Sequence, residues 1–119
     1  DIVTSLNRQG IKKLVVLNGH GGNDFKPMIR ELKNEFPEML IALVEWFKIL
    51  DPDVYFEEGG DHAGEMETSI IMHYFPHLVR PLDEAGDGKA KPAALNGLKN
   101  KTAWIPRQWN QVSDDTGVG

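Results

Sequence analysis

Over the first fifty residues, apolar and polar positions alternate between two periods, which predicts a helix, a strand, a helix and a second strand. Ile2, Val3 and Leu6 share one helical face, so residues 1–9 predict a helix that stops at Gly10. Leu14 to Leu17 form an apolar run with no polar break, the pattern of a strand buried on both faces of a parallel sheet. The helical period returns at Asp24, a suitable N-cap, and lasts to about Glu35, with Pro27 in the first turn where its missing amide costs nothing. Phe25, Met28, Ile29, Leu32 and Phe36 form its buried stripe, while Lys26, Arg30, Glu31, Lys33 and Glu35 form its solvated face. Pro37 ends it, and Met39 to Val44 predicts a second buried strand running on through Glu45, Trp46 and Phe47. Strand, helix and strand of these lengths predict a right-handed parallel pair, hence an α/β fold with a mostly parallel sheet flanked by helices.

The later pattern is looser. Residues 50–60, with Pro52, Glu57, Glu58 and the Gly59-Gly60 pair, predict a mobile loop able to cover a pocket. Residues 61–75 predict a helix opening on Asp61 as N-cap, burying Met66, Ile70, Ile71 and Tyr74, and stopped by Pro76. His73 and His77 lie near its end, where a cation suits the helix dipole, and both read as structural. From Pro81 onward Gly, Ala, Lys, Asn and Pro dominate, which predicts mostly loop with one short strand near Trp104; Trp104, Ile105, Pro106 and Trp109 are its bulky anchors. The organisation expected is one domain, with a strand and helix core over 1–82 and a loop-rich tail over 83–119.

Composition narrows the chemistry. Thirteen Lys and Arg against 18 Asp and Glu give a net charge of −5 without a basic cluster, which argues against nucleic acid or anionic membranes as partners. There is no cysteine, so any metal must be held by histidine, carboxylate or water. No apolar run is long enough to span a membrane and no secretory leader is visible, so the expected location is the cytoplasm. The chain opens at Asp1 within a helical pattern and closes on Asp114-Asp-Thr-Gly-Val-Gly119 as though another element should follow; both ends are expected to be cuts.

The stretch Asn18-Gly-His-Gly-Gly-Asn23 directly follows the first strand, and its glycines allow a sharp turn and close approach to whatever His20 touches. In open α/β sheets ligands bind beyond the carboxyl ends of the strands, where His20, Glu45 and Trp46 are expected. A phosphate cradle is a weak reading, because neither GxGxxG nor GxxxxGK[ST] spacing is present, and a nucleotide-binding domain is weak for the same reason. His20, His62 and Glu67 form a histidine and carboxylate set on two elements whose ends could share one rim. Such groups bind zinc, manganese or ferrous iron in hydrolytic sites. Without HExxH, the spacing alone leaves open that they are unrelated polar residues.

The pairing of Asn18-Gly-His-Gly-Gly-Asn23 with Asp61-His-Ala-Gly-Glu-Met-Glu-Thr-Ser69 resembles the two C-terminal signature motifs of the creatininase (creatinine amidohydrolase) family, and the closing 114–119 segment resembles one that follows them there. The resemblance implies the C-terminal portion of a creatininase-like α/β domain, a site for two divalent metals (Zn, Mn or Fe), and a homo-oligomer, commonly a hexamer. Carried over, His20 is a metal ligand, and Glu67 is a direct ligand or one hydrogen bond behind it. His62 is the catalytic group that takes or gives a proton. Asn18 and Asn23 hold the loop, and Asp61 orients the His62 region. The implied reaction is hydrolysis of a C–N bond in a small amide, cyclic amide or formamide through a metal-activated water. Creatininase has a glutamate where this chain has Gly22, which points to the family's glycine-bearing branches, similar to formamide deformylases and relatives acting on other amides. The family's N-terminal motif, a Glu, a His and an Asp that hold and bridge the metals, has no counterpart here, so the isolated chain is expected to be inactive. The rival expectation is a noncatalytic subunit that binds a ligand or completes a site on another chain.

Overall fold

Leucine and valine without a polar break make Lys13–Asn18 a strand, β1, and the same chemistry makes Leu40–Glu45 a second, β2. They pair in parallel from Lys13 opposite Leu40 to Asn18 opposite Glu45. This α/β arrangement is seen in a computed structural model that describes residues 1–58 and 60–118. Gly59, of the expected glycine pair, and the closing Gly119 lie outside the described residues. The chain forms two compact units, Asp1–Asp51 and Pro52–Gly119.

In the first unit, α1 (Ile2–Arg8) ends where the Gln9 amide reaches back to the Ser5 and Leu6 carbonyls and Gly10 takes φ +81°. Helix α2 (Lys26–Glu35) connects the strands, with Pro27 in its first turn. Phe36 and Met39 are the buried apolar residues at the bend into β2, tied by the Phe36 amide to the Leu32 carbonyl (2.8 Å) and the Met39 amide to the Phe36 carbonyl (3.0 Å). Burying Met39 fully contributes about 1.5–3 kcal/mol.

Three details depart from expectation. Successive strand side chains point to opposite faces, and β1 is covered on one face only: Val15 and Leu17 are 61% and 67% exposed. Helix α2 is preceded by Phe25 at the cap position; Asp24 instead serves from one residue farther out, its Oδ1 accepting from the Lys26 amide at 3.2 Å. Strand β2 stops at Glu45, opposite the last residue of β1, and with no strand left to pair with, Trp46–Lys48 closes into a 3₁₀ turn.

In the second unit the helix is shorter than 61–75. It is α3, Glu65–Tyr74, with Gly64 at the cap and Glu65 and Glu67 in the first turn, where carboxylates suit the dipole. Asp61 is therefore not its N-cap. Asp61 and His62 are extended, and His62 pairs antiparallel with Val118. Ile71 and Tyr74, expected inside, are exposed; apolar residues occur around most of this helix, so no single stripe stands out to be buried. His73 and His77 at its end make edge contacts to Tyr74 and Phe75.

No strand forms at Trp104, which is 83% exposed; among its described residues the tail holds two short α-helices, α4 (Asn96–Lys99) and α5 (Trp109–Val112). The tail is ordered by Asp115, whose carboxylate accepts from the Ser113 hydroxyl (2.7 Å) and the amides of Gly88 (3.2 Å) and Gly117 (2.9 Å). Only glycine fits at position 86, since a Cβ there would lie 1.7 Å from Asp115 Oδ2. Among the described residues no helix is long and apolar enough to cross a membrane.

Candidate active site

In the first unit, the loop leaving β1 is built around Asn18, which is fully buried. Its Oδ1 accepts from the His20 amide (3.1 Å) and from Asn23 Nδ2 (3.1 Å), and its Nδ2 donates to the Asn23 carbonyl (3.4 Å). The Asn23 amide closes the turn onto the His20 carbonyl at 3.1 Å. A buried amide whose groups are all engaged inside one turn fixes that turn, because leaving any of them unpaired is costly. From the adjacent strand end, Trp46 Nε1 donates to the Gly19 carbonyl at 3.2 Å, and the Phe47 ring lies 3.8 Å from where a Gly21 Cβ would be. Thus His20, Glu45 and Trp46 do share the carboxyl-end rim of the parallel pair.

Of the two roles expected of the glycines, close approach is seen at Gly22 and left-handed turning is not. None of Gly19, Gly21 and Gly22 has a positive φ, so freedom of turning is not what the loop requires of them. Gly22 leaves room for the imidazole in this pose, since a side chain there would turn the exposed ring aside. Its amide donates to His20 Nδ1 at 2.9 Å, and a Cβ on it would lie 2.9 Å from Nδ1 and Cε1 of the imidazole. With Nδ1 accepting, the neutral ring carries its proton on Nε2.

In the second unit, Asp61 and His62 are pinned by backbone bonds to Val118: both amides donate to its carbonyl (2.6 and 2.9 Å), and the Val118 amide donates to the His62 carbonyl (2.8 Å). The imidazole packs on the indole of Trp109, centroids 4.3 Å apart at 44°. Arg107 lies 4.8 Å over the same indole and gives Nη2 to Asp61 Oδ2 at 2.6 Å. Asp61 thus directs its carboxylate at a guanidinium. Ala63, the next residue, adopts φ +53°, a left-handed conformation unusual for a residue with a Cβ. Two side chains of α3 hold it there: Glu67 Oε2 accepts from the Ala63 amide (2.7 Å), and the Thr68 hydroxyl donates to the Ala63 carbonyl (3.1 Å). Glu65 turns to the preceding loop, accepting from the amides of Glu57 and Glu58 (2.9 and 3.1 Å).

The sequence-predicted residues are therefore placed as two local groups, Asn18, His20 and Asn23 in one unit and Asp61, His62 and Glu67 in the other. Arg107 and Trp109 were missed. Trp109 read only as a bulky anchor of the tail beside Trp104, and Arg107 as the tail's one guanidinium, with no pattern tying either to His62. As metal donors, His20 and Glu67 are of the right chemical type, a neutral imidazole and a carboxylate. Each now gives a lone pair to a backbone amide, so a metal at His20 Nδ1 would take over the place of the Gly22 N–H. Among the described residues no three His, Asp or Glu side chains converge on a common point.

Comparison with known proteins bears on both groups. The family model Creatininase, described as creatinine amidohydrolase, matches residues 1–119. The chain is 31% identical over 97 residues to the creatinine amidohydrolase of Pseudomonas putida, which covers 66% of this chain and 36% of that protein. It is 34% identical over 85 residues to the mycofactocin precursor peptide peptidase of Mycobacterium ulcerans (strain Agy99), covering 69% of this chain and 29% of that one. A crystal structure from Bacteroides fragilis NCTC 9343, described provisionally as a creatinine amidohydrolase, is similar with a TM-score of 0.87 at 55% identity, covering all of this chain and 47% of that one. The chain spans less than half the length of the relatives it matches.

Proposed function

The chain belongs to the creatininase family, and from that premise we propose that it is the portion of a metal-dependent amidohydrolase that supplies one metal-ligand histidine and the proton-transfer histidine. The reaction is hydrolysis of a C–N bond in a small amide, cyclic amide or formamide. The observation that carries the reading is the loop 18–23, which holds an exposed histidine rigidly at the carboxyl-end rim of a parallel pair, where α/β enzymes bind their ligands.

His20 in the first unit and Glu67 in the second are each, by donor chemistry, a candidate ligand for a divalent metal. When bound, such a metal acidifies water and polarises a carbonyl. The chain's own residues do the rest. Asn18 and Asn23 keep the His20 backbone from relaxing, so the imidazole swings only about its side-chain bonds. His62, fixed through Val118, takes a proton from the attacking water and delivers it to the leaving nitrogen, a contribution of roughly 10²- to 10⁴-fold. The named relatives act on creatinine and on a peptide precursor. Gly22 supports a substrate other than creatinine, because it leaves no carboxylate two residues after His20, where creatininase carries a glutamate.

The test uses the full-length protein purified without chelator, assayed on creatinine, simple amides and N-formyl compounds, with elemental analysis alongside. We expect bound metal, loss of hydrolysis on chelation, and turnover slowed by at least about 100-fold in His62→Ala at unchanged metal content. Hydrolysis that persists both after chelation and in His62→Ala overturns the reading.

A further inference from the structure

We propose that Trp109 and Arg107 are positioning residues for the His62 imidazole, and that Asp61 supports His62 through them rather than by bonding the ring itself. The inference rests on the reading of His62 as the proton-transfer group.

The backbone of His62 is fixed by the bridge to Val118, but a fixed backbone leaves both side-chain torsions free. What limits them is the Trp109 indole, 4.3 Å away and tilted 44°. An indole at the first position of the four-residue helix α5 has little local structure to keep it in place. Arg107 supplies that restraint: its guanidinium covers the indole at 4.8 Å and is anchored by Asp61 at 2.6 Å. The four side chains therefore form a closed circuit. Asp61 is bonded to Arg107, Arg107 lies over Trp109, Trp109 packs on His62, and His62 is the covalent neighbour of Asp61. A planar guanidinium serves both contacts, fork to carboxylate and face to indole, which an ammonium does not. The circuit also gives the tail a purpose in the site, since residues 107, 109 and 118 all converge on 61–62. A proton-transfer group needs its reacting nitrogen held to a fraction of an ångström, and a misplacement of about 1 Å costs about 100-fold in rate.

The experiment has a structural and a kinetic readout on the full-length protein. With ¹³Cε1-labelled histidine, the His62 resonance is assigned as the one lost in His62→Gln. In the wild type it is displaced by the ring current of the indole; in Trp109→Leu it moves toward the position of a solvated imidazole. In the same variant kcat falls about 100-fold with KM nearly unchanged, and Trp109→Phe, which restores an aromatic face, recovers most of both. If Trp109→Leu does not fold, Arg107→Ala carries the test, because it leaves the indole present but unrestrained and must move the same resonance. A His62 resonance that ignores both substitutions overturns the proposal. So does a resonance that moves while kcat stays at the wild-type value in an enzyme that His62→Gln inactivates. Full activity in His62→Gln, by contrast, sinks the proton-transfer reading while the resonance still reports whether the indole holds the ring.

Discussion

Replacing alanine by glycine normally weakens a protein, yet Ala63→Gly should strengthen this one. At φ +53° the Ala63 Cβ crowds the backbone, at a cost of about 1–2 kcal/mol for an L-residue in the left-handed region. Glycine removes that cost but gives the unfolded chain more freedom, which offsets about 0.4–1 kcal/mol. The balance is a gain of about 0.5–1 kcal/mol, a rise of a few degrees in Tm. Ala42→Gly, in the middle of β2, is the control and should lose about 0.5–1 kcal/mol by the ordinary entropy argument. Denaturant melts of both variants at matched m-values make the comparison. If Ala63→Gly loses stability as Ala42→Gly does, the left-handed turn is not a feature of the folded protein, and the clamp formed by Glu67 and Thr68 goes with it. The same clamp separates two roles of Glu67. Glu67→Gln keeps an oxygen for the Ala63 amide and should preserve stability, whereas Glu67→Ala should cost about 1 kcal/mol, as losing a helix-capping side chain does.

Two further outcomes follow from the hydrogen-bond pattern. Asn18→Ala strips the acceptor from the His20 amide and Asn23 Nδ2 in a buried position, so chemical denaturation should show a loss of about 1–3 kcal/mol; a loss below about 0.5 kcal/mol, on the order of a surface substitution, would contradict the role given to Asn18. The Ser113 hydroxyl first, then the Gly88 and Gly117 amides, hold the Asp115 carboxyl below its ordinary value. A depressed carboxylate adds stability that is fully present above its unfolded pKa, about 4, and is lost as pH falls through the lower folded value. Asp115→Asn should therefore be less stable than wild type at pH 7 and should flatten the decline below about pH 4; equal acid melting curves for the two proteins would refute this.

How much of this was legible in the chain depends on how local the cause is. Strand, helix and strand over 13–45 follow from side-chain period and from Pro37, which act within a few residues, and they appear where the pattern puts them. The faces of β1 were not legible, since which of Val16 and Leu17 is covered depends on what packs there. The start of α3 was misplaced by four residues because Asp61 looks like a cap, whereas Ala63 in a left-handed turn stops the helix from extending back; alanine gives no hint of such a turn. Near His62 the contacts come from Arg107, Trp109 and Val118, and no periodic pattern links residues so far apart in sequence. Around His62 the motif and Asp61 were visible, whereas Arg107, Trp109 and Val118 were not.

The Val118 bridge sets the evolutionary freedom of the tail. It fastens the far end of the second unit beside His62, so the segment between is a loop closed at both ends. Closing such a loop costs free energy only logarithmically in its length, about 0.6 kcal/mol for each doubling. The exposed stretch around residues 90–106 can therefore be lengthened or shortened at small cost while residues 107, 109 and 118 stay in place, which lets the surroundings of His62 be reshaped with its imidazole left undisturbed.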